Sequence, residues 1–349
     1  MELAVLAQHY QTRFIAHYAT RLLPNQGHAL RALLRCRTPA AGEVRVHCNA
    51  CDQDQRHALS CGHRSCPKCQ HHQATQWLDR QRAKLVPVDY FMATFTLPQE
   101  LRALAWQHPS VLYTLLITTA TNTLKDFGRN PKHLGAELGM TAVLHTHSRR
   151  LDYHPHVHVV VPGGGIDTRR RQWKKTKGKY LFNEFSLAKV FRARLLAALT
   201  AAGLALPAKL PAQWVVDCQH VGKGQPALEY LSRYLYRGVI SEKNIIAHRD
   251  GKVTFQYTES RSGETRTRTL KGEDFLWLVL QHVLPKGFRR VRDYGFLHGN
   301  AKRRLMLVQL VLKVMLEAAA PRPRPMFLCP KCRSPMAVVA VCQPAWTSG

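Results

Sequence analysis

Residues 151–165, LDYHPHVHVVVPGGG, put histidines at alternate positions: His154, His156 and His158. In an extended strand alternate side chains share a face, so these imidazoles point one way while Val157, Val159 and Val161 point the other. Imidazoles on one face of a strand this apolar need partners once buried, and a metal ion satisfies two at once. Pro155 offers no N–H to a ladder and sits badly in a central strand. His154 is therefore expected at the strand's start, with His156 and His158 inside it as the metal pair. The preceding segment, GMTAVLHTHS (139–148), carries His145 and His147 on one shared face. Antiparallel pairing with 145 opposite 158 and 147 opposite 156 would gather all four on one side. A slip of one residue would reverse the face.

Tyr230 and Tyr234, four apart in EYLSRYLYR (229–237), share a helix face, and Tyr236 is rotated away from them. Such a pair is commonly packing. Downstream of a histidine strand in a basic chain it has a second use. A tyrosine oxygen can attack a phosphodiester that a divalent cation holds and polarises. The products are a 5′-phosphotyrosine and a free 3′-OH, with the bond energy conserved. No ATP is then needed, in keeping with a sequence that contains no GxxxxGK[ST] loop.

HCNACDQDQRHALSCGHRSCPKCQHH (47–72) is too poor in apolar residues to fold by burying carbon, so a metal must hold it. Cys48-x2-Cys51 and Cys66-x2-Cys69 supply two knuckles, with Cys61 and His63 between them. The simplest expectation is structural Zn²⁺ on Cys48, Cys51, Cys66 and Cys69, with Cys61 as an alternate ligand or part of a second site. Farther on, Cys329-x2-Cys332 and Cys342 make an incomplete ligand set.

The elements that must position these groups lie in a strongly basic chain. Lys and Arg number 51 against 22 Asp and Glu, a net charge of +29. That excess implies a polyanionic partner, with nucleic acid foremost. Basic runs fall at 168–179, 286–295 and 300–305, and the candidate DNA contacts are Arg233 and Arg237 beside the tyrosines and Arg289 and Arg290. No uncharged apolar stretch approaches the ~18 residues of a membrane span, and no secretory signal is evident. Ten cysteines in such a chain point to metal or thiol chemistry in a reducing, cytoplasmic compartment and not to a disulfide framework.

Apolar periodicity predicts a helical segment over 1–45, interrupted at Pro24-Asn25, and a zinc-binding domain over 46–80. Strands are expected near 88–98, 139–148, 151–162 and 212–221, with helices near 98–127, 186–203 and 227–239. Together they make a catalytic domain over 88–250. A hairpin over 251–271 and helices near 272–284 and 300–318 fill a basic C-terminal region, 251–320. PRPRP then leads into a Cys-containing tail, 321–349. Tyr90, Phe91, Trp106, Trp173 and Trp214 are available for base stacking. The fold class is α+β, an antiparallel sheet flanked by helices.

SCGHRSCPKCQ (60–70), FTLPQELR (95–102), PKHLGAELGMTAVLHTHSRRLDYHPHVHVVVPGGG (131–165), YLSRYLYRGVIS (230–241) and HVLPKGFRRVRDYG (282–295) together resemble the IS91-like rolling-circle transposases of the HUH single-strand nuclease superfamily. The resemblance follows the family's order over most of the chain. It implies His156 and His158 as ligands of a catalytic Mg²⁺ or Mn²⁺, with His145 as third ligand. His147 stands where the family has Trp. Tyr230 and Tyr234 would be the nucleophile pair acting on single-stranded or hairpin DNA at element ends. A rolling-circle replication initiator or a relaxase shares these motifs. A zinc-dependent DNA-binding protein with a decayed nuclease site is the alternative from another class.

Overall fold

An antiparallel five-stranded sheet carries the histidines, and its strands come from across the sequence. The computed structural model describes residues 2–236, 239–259, 262–323 and 326–343, without side chains for 233–236. The chain begins with helices α1 (Leu3–Tyr18) and α2 (Pro24–Arg35), strands β1 (Glu43–Cys48) and β2 (Gln53–Ala58), and α3 (His71–Arg82). Next come β3 (Tyr90–Thr96), α4 (Arg102–Gln107), α5 (Pro109–Arg129), β4 (Met140–His147), β5 (Tyr153–Pro162), β6 (Gly164–Asp167) and β7 (Gln172–Lys175). They are followed by α6 (Glu184–Ala201), β8 (Val216–His220), α7 (Gln225–Tyr236), β9 (Ile245–Arg249), β10 (Lys252–Thr258) and β11 (Thr265–Lys271). The last are α8 (Gly272–Leu280), β12 (Val291–Tyr294), α9 (Lys302–Leu312) and β13 (Ala337–Cys342).

The central sheet has the order β12-β4-β5-β3-β8. Val157, Val159 and Val161 join Phe91, Ala93 and Phe95 of β3 on one face. There they meet Leu112, Leu116 and Ile117 of α5 and Phe191 and Leu195 of α6, all buried. The opposite face carries the histidines, and Val143 and Val160 on it pack against Trp77 of α3 and Leu228 and Leu231 of α7. Strict alternation thus separates a carbon core from a polar face. The α+β expectation holds, with antiparallel sheets flanked by helices.

Two segments distant in sequence form a second core. Tyr10 and Phe14 of α1 pack with Phe255 of β10 and Phe275 of α8, and Leu30 and Leu33 of α2 close the cluster. The helices of 1–45 therefore lean on the β9–β11 sheet. The stretch 251–320 is shared out: its β12 extends the central sheet, and α9 packs beside it through Val308. Pro24 opens α2 at its first position, where a missing N–H costs nothing, whereas α1 has already ended at Tyr18. Gly295, at φ +61°, turns the chain out of β12, and a Cβ there would lie 1.7 Å from the Leu138 carbonyl oxygen. A smaller sheet, β13-β1-β2, buries Val44, Val46, Met336, Cys48 and Cys329, with Cys51, Leu59 and Phe327 partly buried against them. Among the described residues no helix is long and apolar enough to cross a membrane.

Candidate active site

β4 and β5 pair antiparallel with His145 opposite His156 and Val143 opposite His158. The expected register, 145 opposite 158, is thus off by two residues, which preserves the face. The cause is local. Between the His145–His156 and His147–Tyr153 pairs, β5 has His154 and Pro155 where β4 has only Thr146. This bulge gives Pro155 a position that asks no ladder N–H of it.

Ligating nitrogens of His145, His156 and His158 all lie within 4.8 Å of one another. Burial holds all three imidazoles neutral: the His156 pKa is pushed down to about 4, and those of His145 and His158 lie well below the usual range. His156 Nδ1–H donates to the His154 carbonyl at 2.7 Å, which leaves the Nε2 lone pair available. His158 Nδ1 pairs with Thr94 Oγ1 of β3 at 2.9 Å, and its buried Nε2 has no hydrogen-bond partner among the described residues. A neutral donor set with oriented rings and an orphaned Nε2 fits a divalent cation. His147 falls outside this group, with its ring 5.1 Å from that of His282. His154 stays at the edge, its Nδ1 2.6 Å from Arg102.

Helix α7 brings Tyr230 over the cluster, its ring 5.9 Å from that of His158 and 6.3 Å from that of His145. Arg82 of α3 fixes α7 through a 2.5 Å bond to Glu229, the residue before this tyrosine. Tyr234 occupies the next turn of the same helix, but its side chain and that of Arg233 lie outside the described residues, as does Arg237. Tyr230 and His147 line a cleft of about 460 Å³ together with Arg149, Lys243, Asn244, Gln256 and Tyr257. Spacing did not reveal these cleft residues, because they come from loops and β10. The half-buried Arg290 lies close enough to disfavour protonation of His145, His147 and His282. Arg289 is exposed elsewhere, beside Lys286 and Arg292. Tyr90, Phe91 and Trp214 are buried, Trp106 packs on Tyr153 and Trp277, and Trp173 packs on Phe296. Besides Tyr230 the cleft is lined by Phe255, which is buried, and by the half-buried Tyr257.

The thiols divide differently from the expected single site. Cys48 and Cys51 do not meet Cys66 and Cys69. Cys66, Cys69 and Cys61 gather with Cys36, at the end of α2, while Cys48 and Cys51 gather with Cys329 and Cys332. In the first group Cys36 Sγ lies 3.7 Å from Cys66 and 3.4 Å from Cys69, and Cys61 lies 3.6 Å from Cys69. Zinc–thiolate bonds of about 2.3 Å in a tetrahedron put sulfurs ~3.8 Å apart, so four thiols at these spacings fit one zinc ion. Cys61 is thus grouped as a ligand beside Cys66 and Cys69. Cys36, an isolated cysteine after an apolar helix, carried no spacing signal.

Residues 5–97 match a transposase zinc-binding domain, and residues 139–304, from β4 into α9, match a family described as putative transposase. The putative transposase y4qJ of Sinorhizobium fredii is 35% identical over 334 residues, covering 88% of this chain and 83% of the relative. The transposase for insertion sequence element IS801 of Pseudomonas savastanoi pv. phaseolicola is 28% identical over 315 residues, covering 84% and 74%. The chain is a transposase with a zinc-binding domain ahead of its histidine-bearing sheet. It belongs to the IS91 type, whose members use rolling-circle transposition.

Proposed function

We propose that this transposase is an HUH-type strand transferase that cleaves single-stranded or hairpin DNA at element ends and retains the cut strand as a 5′-phosphotyrosine. The observation that carries the reading is Tyr230, seated over three buried, neutral histidines and lining a cleft that also presents Arg149 and Lys243. His145, His156 and His158 would hold Mg²⁺ or Mn²⁺, which supplies Lewis-acid polarisation of a phosphate oxygen. The His154 carbonyl and Thr94 orient two of these rings, so no reorganisation is needed when the site loads. Tyr230 Oη attacks phosphorus, forming the tyrosyl ester as the P–O3′ bond breaks. The phenolic proton is released and the departing 3′ oxygen gains one, so a free 3′-OH results without a net proton change. Attack on the ester by that hydroxyl, or by another strand's 3′-OH, regenerates the phenol. Tyr234, one turn on, is the second nucleophile of the pair. Arg149, Lys243 and Tyr257 suit a single strand, with cations for phosphates and an aromatic ring for a base. Arg290 adds positive charge beside the reacting phosphate.

Separate His156→Ala and His158→Ala variants test the reading. Each is expected to lose Mg²⁺- or Mn²⁺-dependent cleavage of an element-end oligonucleotide while still binding it. Unchanged cleavage in either variant would overturn the site.

A further inference from the structure

We propose that Cys48, Cys51, Cys329 and Cys332 form a second structural zinc site, and that this site clasps the segment after Met326 onto the β1–β2 pair. The matched regions end at residues 97 and 304, so Cys329 and Cys332 lie outside both. Cys51 Sγ lies 3.3 Å from Cys329 and 3.5 Å from both Cys332 and Cys48, and Cys48 lies 3.5 Å from Cys332. A disulfide would bring two sulfurs to about 2.05 Å and leave the others out. Four mutually close thiols instead outline the tetrahedron of a zinc ion.

The backbone gives an independent match. After Cys51, Asp52 takes a left-handed φ of +51° and donates its N–H to the Cys48 carbonyl at 2.9 Å. After Cys332, Arg333 takes φ +62° and donates to the Cys329 carbonyl at 2.8 Å. The two Cys-x2-Cys turns are thus the same knuckle built twice, and they face each other. Cys66-x2-Cys69 is built otherwise, with Cys69 N–H donating to the Cys66 carbonyl at 3.3 Å. Strand β13 then pairs with β1, placing Cys342 opposite Glu43. The carbon available to hold this module is Val44, Val46 and Met336 with partly buried Leu59 and Phe327. From 313 to 326 the described chain has no helix or strand, and its side-chain tie to α3 is Arg322 on Asp79. The zinc clasp therefore joins the β13–β1 pairing in anchoring the tail.

Zinc content per full-length chain, measured by elemental analysis and native mass spectrometry, tests the assignment. Replacing Cys48 and Cys51 with Ser, or Cys329 and Cys332 with Ser, is expected to remove one ion. All four replacements together should still remove only one. Cys66→Ser with Cys69→Ser removes a different ion, so combined with the Cys329/Cys332 pair it removes two. Unchanged zinc in the Cys329/Cys332 variant, or additive losses from the Cys48/Cys51 and Cys329/Cys332 pairs, would overturn the proposal. The wild-type chain provides a readout independent of any variant's folding. Trypsin should cut after Lys331 and Arg333, inside the second knuckle, only once a chelator has removed zinc. Equal cutting of the zinc-loaded chain would also overturn it.

Discussion

The histidine face of the central sheet and the cysteine-held sheet at β1 use metal-ligating side chains for opposite ends. Under the histidines lies a large carbon core, with Phe91, Phe95, Ile117 and Phe191 fully buried. That core holds the strands without help, so the polar face is available for chemistry. The three histidines would leave coordination positions open on the ion they are proposed to hold, and Tyr230, which also lines a cleft, stands beside them. The β13-β1-β2 sheet has only a handful of buried apolar residues, and its four thiols close around one point. Three ligands beside a cleft suit catalysis, whereas four closed thiolates suit structure.

Zinc removal should break the two regions apart most forcefully. Structural zinc in small domains supplies roughly 10–16 kcal/mol. A chelator is therefore expected to abolish hydrogen-exchange protection over residues 43–70 and weaken DNA binding, while β3–β5 stay protected. Equal loss of protection in the central sheet would erase the distinction. The converse perturbation is Phe95→Ala, in the carbon core, where an aromatic truncation costs about 3–5 kcal/mol. Denaturant unfolding should show that loss with zinc content unchanged.

A smaller change addresses the chemistry without the core. Thr94→Val removes the partner of His158 Nδ1 and should weaken Mn²⁺ affinity by about 10–100-fold, with little shift in Tm. Affinity equal to wild type would show that the ring needs no orienting partner. A further test concerns pH. Burial pushes the His282 pKa down to about 4, and the ring bonds to the Leu151 carbonyl at 2.9 Å. An unfolded histidine titrates near ~6.5, so the unfolded chain binds the extra proton between these values. Stability is fully present above about 6.5 and is lost as pH falls toward 4. His282→Gln should flatten that slope by up to about 1.4 kcal/mol per pH unit in denaturant titrations. An unchanged slope would contradict burial of a neutral ring.

The same contrast explains what the sequence could disclose. Alternation in β5 assigned His156 and His158 to one face and the valines to the core, because strand periodicity is local. The helix carrying Tyr230 was equally legible. The pairing register was not, since it depends on how tightly the hairpin closes and on a one-residue bulge at His154-Pro155 that only the partner strand defines. Thiol grouping was still less accessible. Cys-x2-Cys spacing marks a knuckle but not its mate, and Cys51 finds Cys329 across 278 positions. The packing of α1 and α2 on α8 is likewise a long-range match of apolar faces that neither segment announces alone.

The central claim, that Tyr230 over the histidine cluster is a nucleophile, is tested most directly by mapping the DNA-linked peptide. Full-length protein is incubated with a single-stranded element end and Mn²⁺, digested, and the nucleotide-bearing peptide sequenced by mass spectrometry. The account predicts a 5′-phosphate ester on Tyr230, with or without a second on its α7 partner Tyr234, and Tyr230→Phe should remove the Tyr230 adduct. Adducts confined to residues other than Tyr230, or cleavage with no covalent intermediate, would contradict it.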